Sequence, residues 1–186
     1  MSAKCVVPDN GTPVDILHEG QWLTLKQRGR WEFVERNNPG GAVIIIALTP
    51  DDEILFVEQF RVPIMQRTIE MPAGLVGDLE GRADEDVRLA ARRELEEETG
   101  YACDDIRFLH AGPSSAGMST EMMAFVRAHD LRKVGPGGGD DSEDITVHAI
   151  RREQAGAWLL QKAREGLSID PKLFAGLWLL DHDDLF

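Results

Sequence analysis

The longest uninterrupted apolar run in the chain, AVIIIAL at residues 42–48, is short and rich in β-branched side chains. That combination predicts a strand buried on both faces. A second strand is expected at 54–57, after the turn residues Pro50, Asp51 and Asp52. Upstream, the runs 21–26 and 31–35 flank Arg28-Gly29-Arg30 and predict a hairpin whose apolar content is Trp22, Leu23, Leu25, Phe33 and Val34. Residues 1–20 carry Pro8, Asn10, Gly11, Pro13 and Gly20, so they read as a loose lead-in with order expected from about Gln21. The period changes at 85–99, where Val87, Ala90, Ala91 and Leu95 form one helical stripe and Gly100 stands where a C-terminal glycine belongs. Further strands are expected at 106–109, 122–126 and 145–150, the last two separated by the glycine-rich acidic loop 135–141. Helices are expected at 153–165 and 171–181. For the second of these, Asp170 serves as N-cap, Pro171 lies in the first turn, and Leu173, Leu177 and Leu180 form the apolar face. No internal repeat is visible, and strands with an embedded helix followed by closing helices give a mixed α and β class.

Composition narrows the possibilities. A chain of 186 residues accommodates one domain, or one domain with an arm, at about 150 residues per domain. The division expected is an arm at 1–40 and a domain at 41–186. With 42% hydrophobic and 28% charged residues, disorder and fibrous classes are excluded. The formal charge of -13 has the wrong sign for sequence-independent binding to nucleic acid or an anionic membrane, so an anionic substrate would need local cations. Cys5 and Cys103 form no CxxC pair, which argues against a disulfide framework or a zinc site and for free thiols. The segment MSAKCVVPDNG lacks a long apolar stretch, and residues 42–48 fall far short of the roughly 20 needed to cross a bilayer; a cytoplasmic location is expected.

The segment 93–101, RELEEETGY, carries the chemistry. Glu94, Glu97 and Glu98 are spaced i, i+3, i+4, which gathers three carboxylates on one helix face. They repel one another and lie toward the C-terminal end, where the macrodipole disfavours anions by about 0.3–1 kcal/mol each. Something outside the helix must compensate. Oxygen ligands without sulfur or imidazole suit a hard cation, Mg²⁺ or Mn²⁺. A bare acidic run is most often a solvated face; its neighbours decide otherwise.

Arg93, Glu94, Leu95, Glu97, Glu98, Gly100 and Tyr101 fill every fixed place at the end of a motif that resembles the Nudix hydrolase signature. Glu85 matches the motif's earlier glutamate and Gly74 its opening glycine, although ten residues separate them where the family usually has five. The resemblance implies a Nudix α/β/α sandwich with a mixed sheet, preceded by an N-terminal β-hairpin arm. It also implies attack of water on a nucleoside-linked diphosphate, with metal held by Glu94, Glu97, Glu98 and the Ala73 carbonyl and with Arg93 orienting the glutamates. VEQFR at 57–61 and IEMPAG at 69–74 resemble the ADP-ribose and ADP-sugar pyrophosphatase branch, and WEFVER at 31–36 resembles that branch's N-terminal strand. By that likeness Trp31 stacks on the base, Arg36, Arg61 and Glu85 contact substrate, and two subunits exchange the N-terminal strand in a homodimer. Glu143 occupies the place of the general base, with Asp141 and Asp144 as rivals. Ala116 stands where the ADP-ribose branch often has proline, so GDP-mannose, ADP-glucose, or another dinucleotide or coenzyme remain alternative substrates. A non-catalytic nucleotide-binding domain is the alternative of a different class.

Overall fold

Residues 43–47 are all buried, as a strand covered on both sides requires, in a computed structural model that describes residue 8 and residues 11–37, 40–77, 85–139 and 143–186. In chain order the strands and helices are β1 (Val14–Glu19), β2 (Leu23–Arg28), β3 (Trp31–Arg36), β4 (Ala42–Ala47), β5 (Glu53–Arg61), β6 (Gln66–Glu70), β7 (Ala73–Leu75), α1 (Val87–Thr99), β8 (Tyr101–Ala102), β9 (Asp105–Pro113), β10 (Met122–His129), β11 (Arg132–Lys133), β12 (Thr146–Arg151), α2 (Ala155–Arg164), β13 (Ser168–Ile169) and α3 (Lys172–Asp181). Two four-stranded sheets form the body, ordered β7-β4-β10-β9 and β12-β5-β6-β13. Both are mixed: β4 runs parallel to β10 and β6 parallel to β13, while the other pairs are antiparallel.

The alternation along β4 explains its continuous hydrophobicity. Ile44 and Ile46 enter one core cluster with Phe56, Ile69, Phe125, Leu159, Leu173 and Leu180, on the side of α2 and α3. Val43, Ile45 and Ala47 enter a second cluster with Ala90, Ala91 and Leu95 of α1. Neither face can carry a polar residue without burying it unpaired. The helices sit where the periodicity puts them. α1 begins two residues later than expected because Asp86 caps it, accepting a hydrogen bond from the Arg88 amide at 2.8 Å. Gly100 ends it at φ 71°, and its amide donates to the Glu96 carbonyl. Asp170 accepts from the Lys172 amide at 2.8 Å at the start of α3.

Two expectations are corrected. The lead-in 1–20 contains a strand: β1 pairs antiparallel with β2, which with β3 makes a separate three-stranded sheet. Every residue of β1 is exposed, so burial leaves no period-2 signature, and the pairing rests on backbone hydrogen bonds with an irregularity between Ile16 and His18. The β2–β3 hairpin itself forms as read, with Arg28 opposite Trp31. Strands β6 and β7 were not expected as strands either; their residues are polar or glycine-containing, and neighbouring strands recruit them. The strand sheet of the arm docks on the body through main-chain bonds, Val34 amide to Met118 carbonyl at 2.8 Å and Thr120 amide to Val34 carbonyl at 3.1 Å. The insertion loop 78–84 and Asp141 lie outside the described residues, as does Cys5; Cys103 is buried and free.

The two-sided burial of β4 sets an expectation for stability. Ile45→Ala, deep between β4 and α1, should cost about 2–5 kcal/mol, whereas Phe174→Ala on the exposed side of α3 should stay within about 0.5 kcal/mol. Urea denaturation of both variants checks the contrast.

Candidate active site

Helix α1 presents its carboxylates where the opening of β7 and the loop after β11 meet it. Glu98 is 2% exposed, and its Oε2 accepts from the Ala73 amide at 2.9 Å. Burial pushes this carboxyl well above the usual carboxylate range; the Ala73 amide pulls down, Glu94 and Glu143 push further up, and Arg61 pulls down. Glu94, Glu98 and Glu143 therefore lie within electrostatic reach of one another, with Arg61 opposed to them.

Glu94 packs flat on Gly74. A methyl group added there would sit 1.9 Å from the Glu94 carboxyl carbon, so the opening glycine is a seat for this carboxylate. Arg93 gathers the rest. Its Nη1 donates to Glu94 at 2.8 Å and to Glu97 at 3.3 Å, and its Nη2 donates to Glu85 at 3.3 Å and to the Leu75 carbonyl at 3.2 Å. Glu85 also accepts from the Gly77 amide at 3.2 Å, and its side chain is 2% exposed. This placement makes Glu85 a brace for Arg93 and the loop entry. Glu97 is more open, on the rim of a cavity of about 530 Å³ lined by Arg93, Pro136, Gly137 and Gly139.

The helix end is neutralised by backbone. The amides of Gly138 and Gly139 donate to the Glu98 and Glu97 carbonyls at 2.8 and 3.1 Å, those of Val134 and Gly135 to the Gly100 carbonyl at 2.8 and 3.1 Å, and Lys133 Nζ to the Thr99 carbonyl at 2.9 Å. A Cβ at Gly137, whose φ is 71°, would fall 2.4 Å from the Thr99 carbonyl carbon. The glycines at 137–139 thus cap the helix that carries the carboxylates.

Of the proposed substrate contacts, Arg61 forms a bidentate pair with buried Glu70 at 2.6 and 2.7 Å, which holds its guanidinium charged, and it lies within reach of Glu98. Arg36 pairs with Glu121 at 2.8 Å. Trp31 is 47% exposed and lines a different cavity of about 530 Å³ with Arg28, Phe33, Ala116 and Met118. No motif residue lines that cavity, nor the one of about 620 Å³ that Arg36 lines with Glu35 and Glu121, so neither Trp31 nor Arg36 shares a cavity with the carboxylates within one chain. Asp144 is engaged by Arg67, whereas Glu143 lies within electrostatic reach of Glu98. Sequence reasoning missed Glu70 and the group Glu58, Arg67 and His148. Their signal is cross-strand register, which a single sequence does not display.

Among the described residues, no three His, Cys, Asp or Glu side chains are already drawn together as a ready-made cation cluster. The donor chemistry nonetheless fits a hard divalent ion. Glu98 is a buried carboxylate whose charge needs a partner, and all available donors are oxygens.

A model of the Nudix domain matches residues 38–168. The chain belongs to the Nudix family. It is 31% identical over 122 residues to an ADP-ribose pyrophosphatase of Bacillus subtilis (strain 168), covering 66% of this chain and 62% of that one. It is 34% identical over 136 residues to a GDP-mannose pyrophosphatase of Enterobacter sp. (strain 638), covering 69% and 67%, and 34% identical over 123 residues to a methanol dehydrogenase activator of Bacillus methanolicus, covering 66% and 64%. The match thus spans less than two thirds of the length of two of these three relatives. A solved structure, an ADP compounds hydrolase, superposes with TM-score 0.68 over 97% of this chain and 96% of its own at 20% identity, so the two share a fold.

The seat formed by Gly74 yields a direct check. Gly74→Ala should displace Glu94 and abolish most turnover, and it should also lower the melting temperature, because the added methyl meets Cγ as well as the carboxyl of a buried side chain that Arg93 holds in place. Thermal melting and activity measured on the same preparation separate the two effects.

Proposed function

We propose that this Nudix protein hydrolyses the diphosphate bond of ADP-ribose or a related nucleoside diphosphate sugar, giving a nucleoside monophosphate and a sugar phosphate. One observation carries the reading: buried Glu98 lies within reach of Glu94 and Glu143 and opposite Arg61, on a helix whose end is held by Arg93 and a backbone cap. The names of the relatives, which include ADP-ribose and GDP-mannose pyrophosphatases, support the substrate class.

In this mechanism Glu94, Glu97, Glu98 and the Ala73 carbonyl would hold Mg²⁺ or Mn²⁺, which when bound would neutralise the diphosphate and lower the pKa of the attacking water. Glu143 accepts the proton from that water as its oxygen bonds to one phosphorus. The bridging P–O bond breaks, and the other phosphate leaves with the bridging oxygen. Arg93 keeps Glu94 and Glu97 oriented, and Arg61 offers positive charge to the departing or retained phosphate in a chain of net charge -13.

Trp31 and Arg36 complete the site in a homodimer, by presenting the base-binding strand to the partner's carboxylates. The arm is in keeping with this reading, since Ile16, Leu17, Leu23 and Trp31 of the three-stranded sheet and Trp22 in the turn before β2 are each exposed. Such a dimer accounts for the separation of Trp31 from the carboxylates of its own chain. No helix is long and apolar enough to cross a membrane among the described residues, and a cytoplasmic enzyme without nucleic-acid or membrane partners is the reading adopted.

Phosphate release from ADP-ribose, ADP-glucose and GDP-mannose, measured with added phosphatase and with or without Mg²⁺, tests the reaction, because only cleavage exposes a phosphomonoester. Glu98→Gln should remove nearly all release; near-normal turnover in that variant would refute the metal assignment. Glu143→Gln should slow turnover by roughly 10²–10⁴-fold, the usual worth of general-base catalysis. Loss of base stacking in Trp31→Ala should raise KM about tenfold or more, at roughly 1–3 kcal/mol per stacked base, with kcat nearly unchanged. An unchanged KM removes Trp31 from the site.

A further inference from the structure

We propose that Arg67 is a positioning residue that fixes the Glu143 carboxylate by gripping the next residue, Asp144; the inference rests on Glu143 as the base. Arg67 Nη1 donates to the Asp144 carboxylate at 2.9 Å, and Nη2 reaches the Asp144 carbonyl at 3.5 Å. The grip is therefore on the main chain as well as the side chain. Because Asp144 follows Glu143 directly, holding its backbone sets the direction from which Glu143 reaches the water.

Arg67 is itself held from behind. Its Nε donates to Glu58 Oε1 at 2.6 Å, and the other oxygen of Glu58 lies 3.0 Å from His148 Nε2. The strand register produces this line. Glu58 on β5 is opposite Ile69 and Thr146, so Arg67 on β6 and His148 on β12 are its diagonal neighbours on the same sheet face. His148 packs at 5.0 Å on the ring of Trp158 in α2, and Trp158 stacks at 5.7 Å on Phe56, a fully buried core residue. Burial raises the Glu58 carboxyl, but Arg67 and His148 outweigh it and hold the group below its ordinary range, hence charged. A chain of contacts thus runs from the core to Asp144.

Glu143 also lies against a glycine. A Cβ at Gly139 would lie 2.5 Å from Glu143 Oε2, while the Gly139 amide is tied to the Glu97 carbonyl and the Ile145 amide donates to the Gly138 carbonyl at 3.3 Å. Glu143 is confined between a loop anchored on α1 and a residue anchored on β6. Asp144 is 85% exposed, so its ion pair adds little to stability. Placement is a different matter, because a carboxylate displaced by about 1 Å can lose on the order of 100-fold in rate.

The test compares Arg67→Gln, Asp144→Asn, Glu143→Gln and the double variant Arg67→Gln/Glu143→Gln at saturating Mg²⁺, on whichever of ADP-ribose, ADP-glucose and GDP-mannose the parent enzyme cleaves fastest. Both single variants at the clamp should lower kcat by roughly 10–100-fold with KM within about threefold, the signature of a loss in the chemical step. The Arg67 substitution should cost nothing further in the Glu143→Gln background, since there is no base left to position. Asp144→Asn alters an exposed side chain and keeps the comparison valid if Arg67→Gln fails to fold. Full kcat in the clamp variants beside an inactive Glu143→Gln overturns the positioning role and leaves the base in place. A further multiplicative loss in the double variant also overturns it. Full activity of Glu143→Gln itself overturns the base assignment, and this inference with it.

Discussion

Three carboxylates stand at the end of a helix where mutual repulsion and the helix dipole both oppose them. The surrounding structure answers that constraint. Arg93 bridges Glu85, Glu94 and Glu97, Lys133 and the amides of Val134, Gly135, Gly138 and Gly139 satisfy the terminal carbonyls, and the Ala73 amide meets Glu98. These partners come from three segments, α1 itself, the start of β7, and β11 with the loop after it, which explains why the site sits where the three converge. A helix isolated from these neighbours would not keep its last turn in this charge state.

The same need shapes the body. The carboxylates can crowd together only if α1 is pinned firmly, and it is pinned by Ala90, Ala91 and Leu95 against Val43, Ile45 and Ala47 of β4. Small alanines let the helix approach the sheet closely, and the other face of β4 is closed by α2 and α3. Rigidity of the site is therefore inherited from a strand buried on both faces.

What the sequence displays and what it conceals divide along physical lines. Periodicity exposes any element whose burial is regular: residues 42–48 and the α1 stripe were legible because one alternates between two cores and the other faces one. The carboxylates were legible because their spacing is local. β1 was not, since a fully exposed strand carries no burial pattern, and β6 was not, since its polar residues Gln66, Arg67 and Thr68 are placed by pairing with β5. In the sequence the glycines at 137–139 mark only a loop. Their φ values of 71°, 115° and 82° instead let backbone amides close on the helix end, a role that depends on contacts far away in sequence.

Arginine placement follows from the acidic balance of the chain. In a protein of net charge -13, a cation near the site will find a carboxylate, and Arg36, Arg61, Arg67 and Arg93 all have. Such pairing does not cancel their use. The bidentate contact to Glu70 engages Nε and Nη2 of Arg61 and orients a half-exposed guanidinium, whose Nη1 takes no part in that contact. An oriented cation loses less side-chain entropy on meeting a phosphate than one that must first be ordered. Pairing in the resting protein is thus compatible with anion binding, and the acidic partners serve as the scaffold that aims the positive charge.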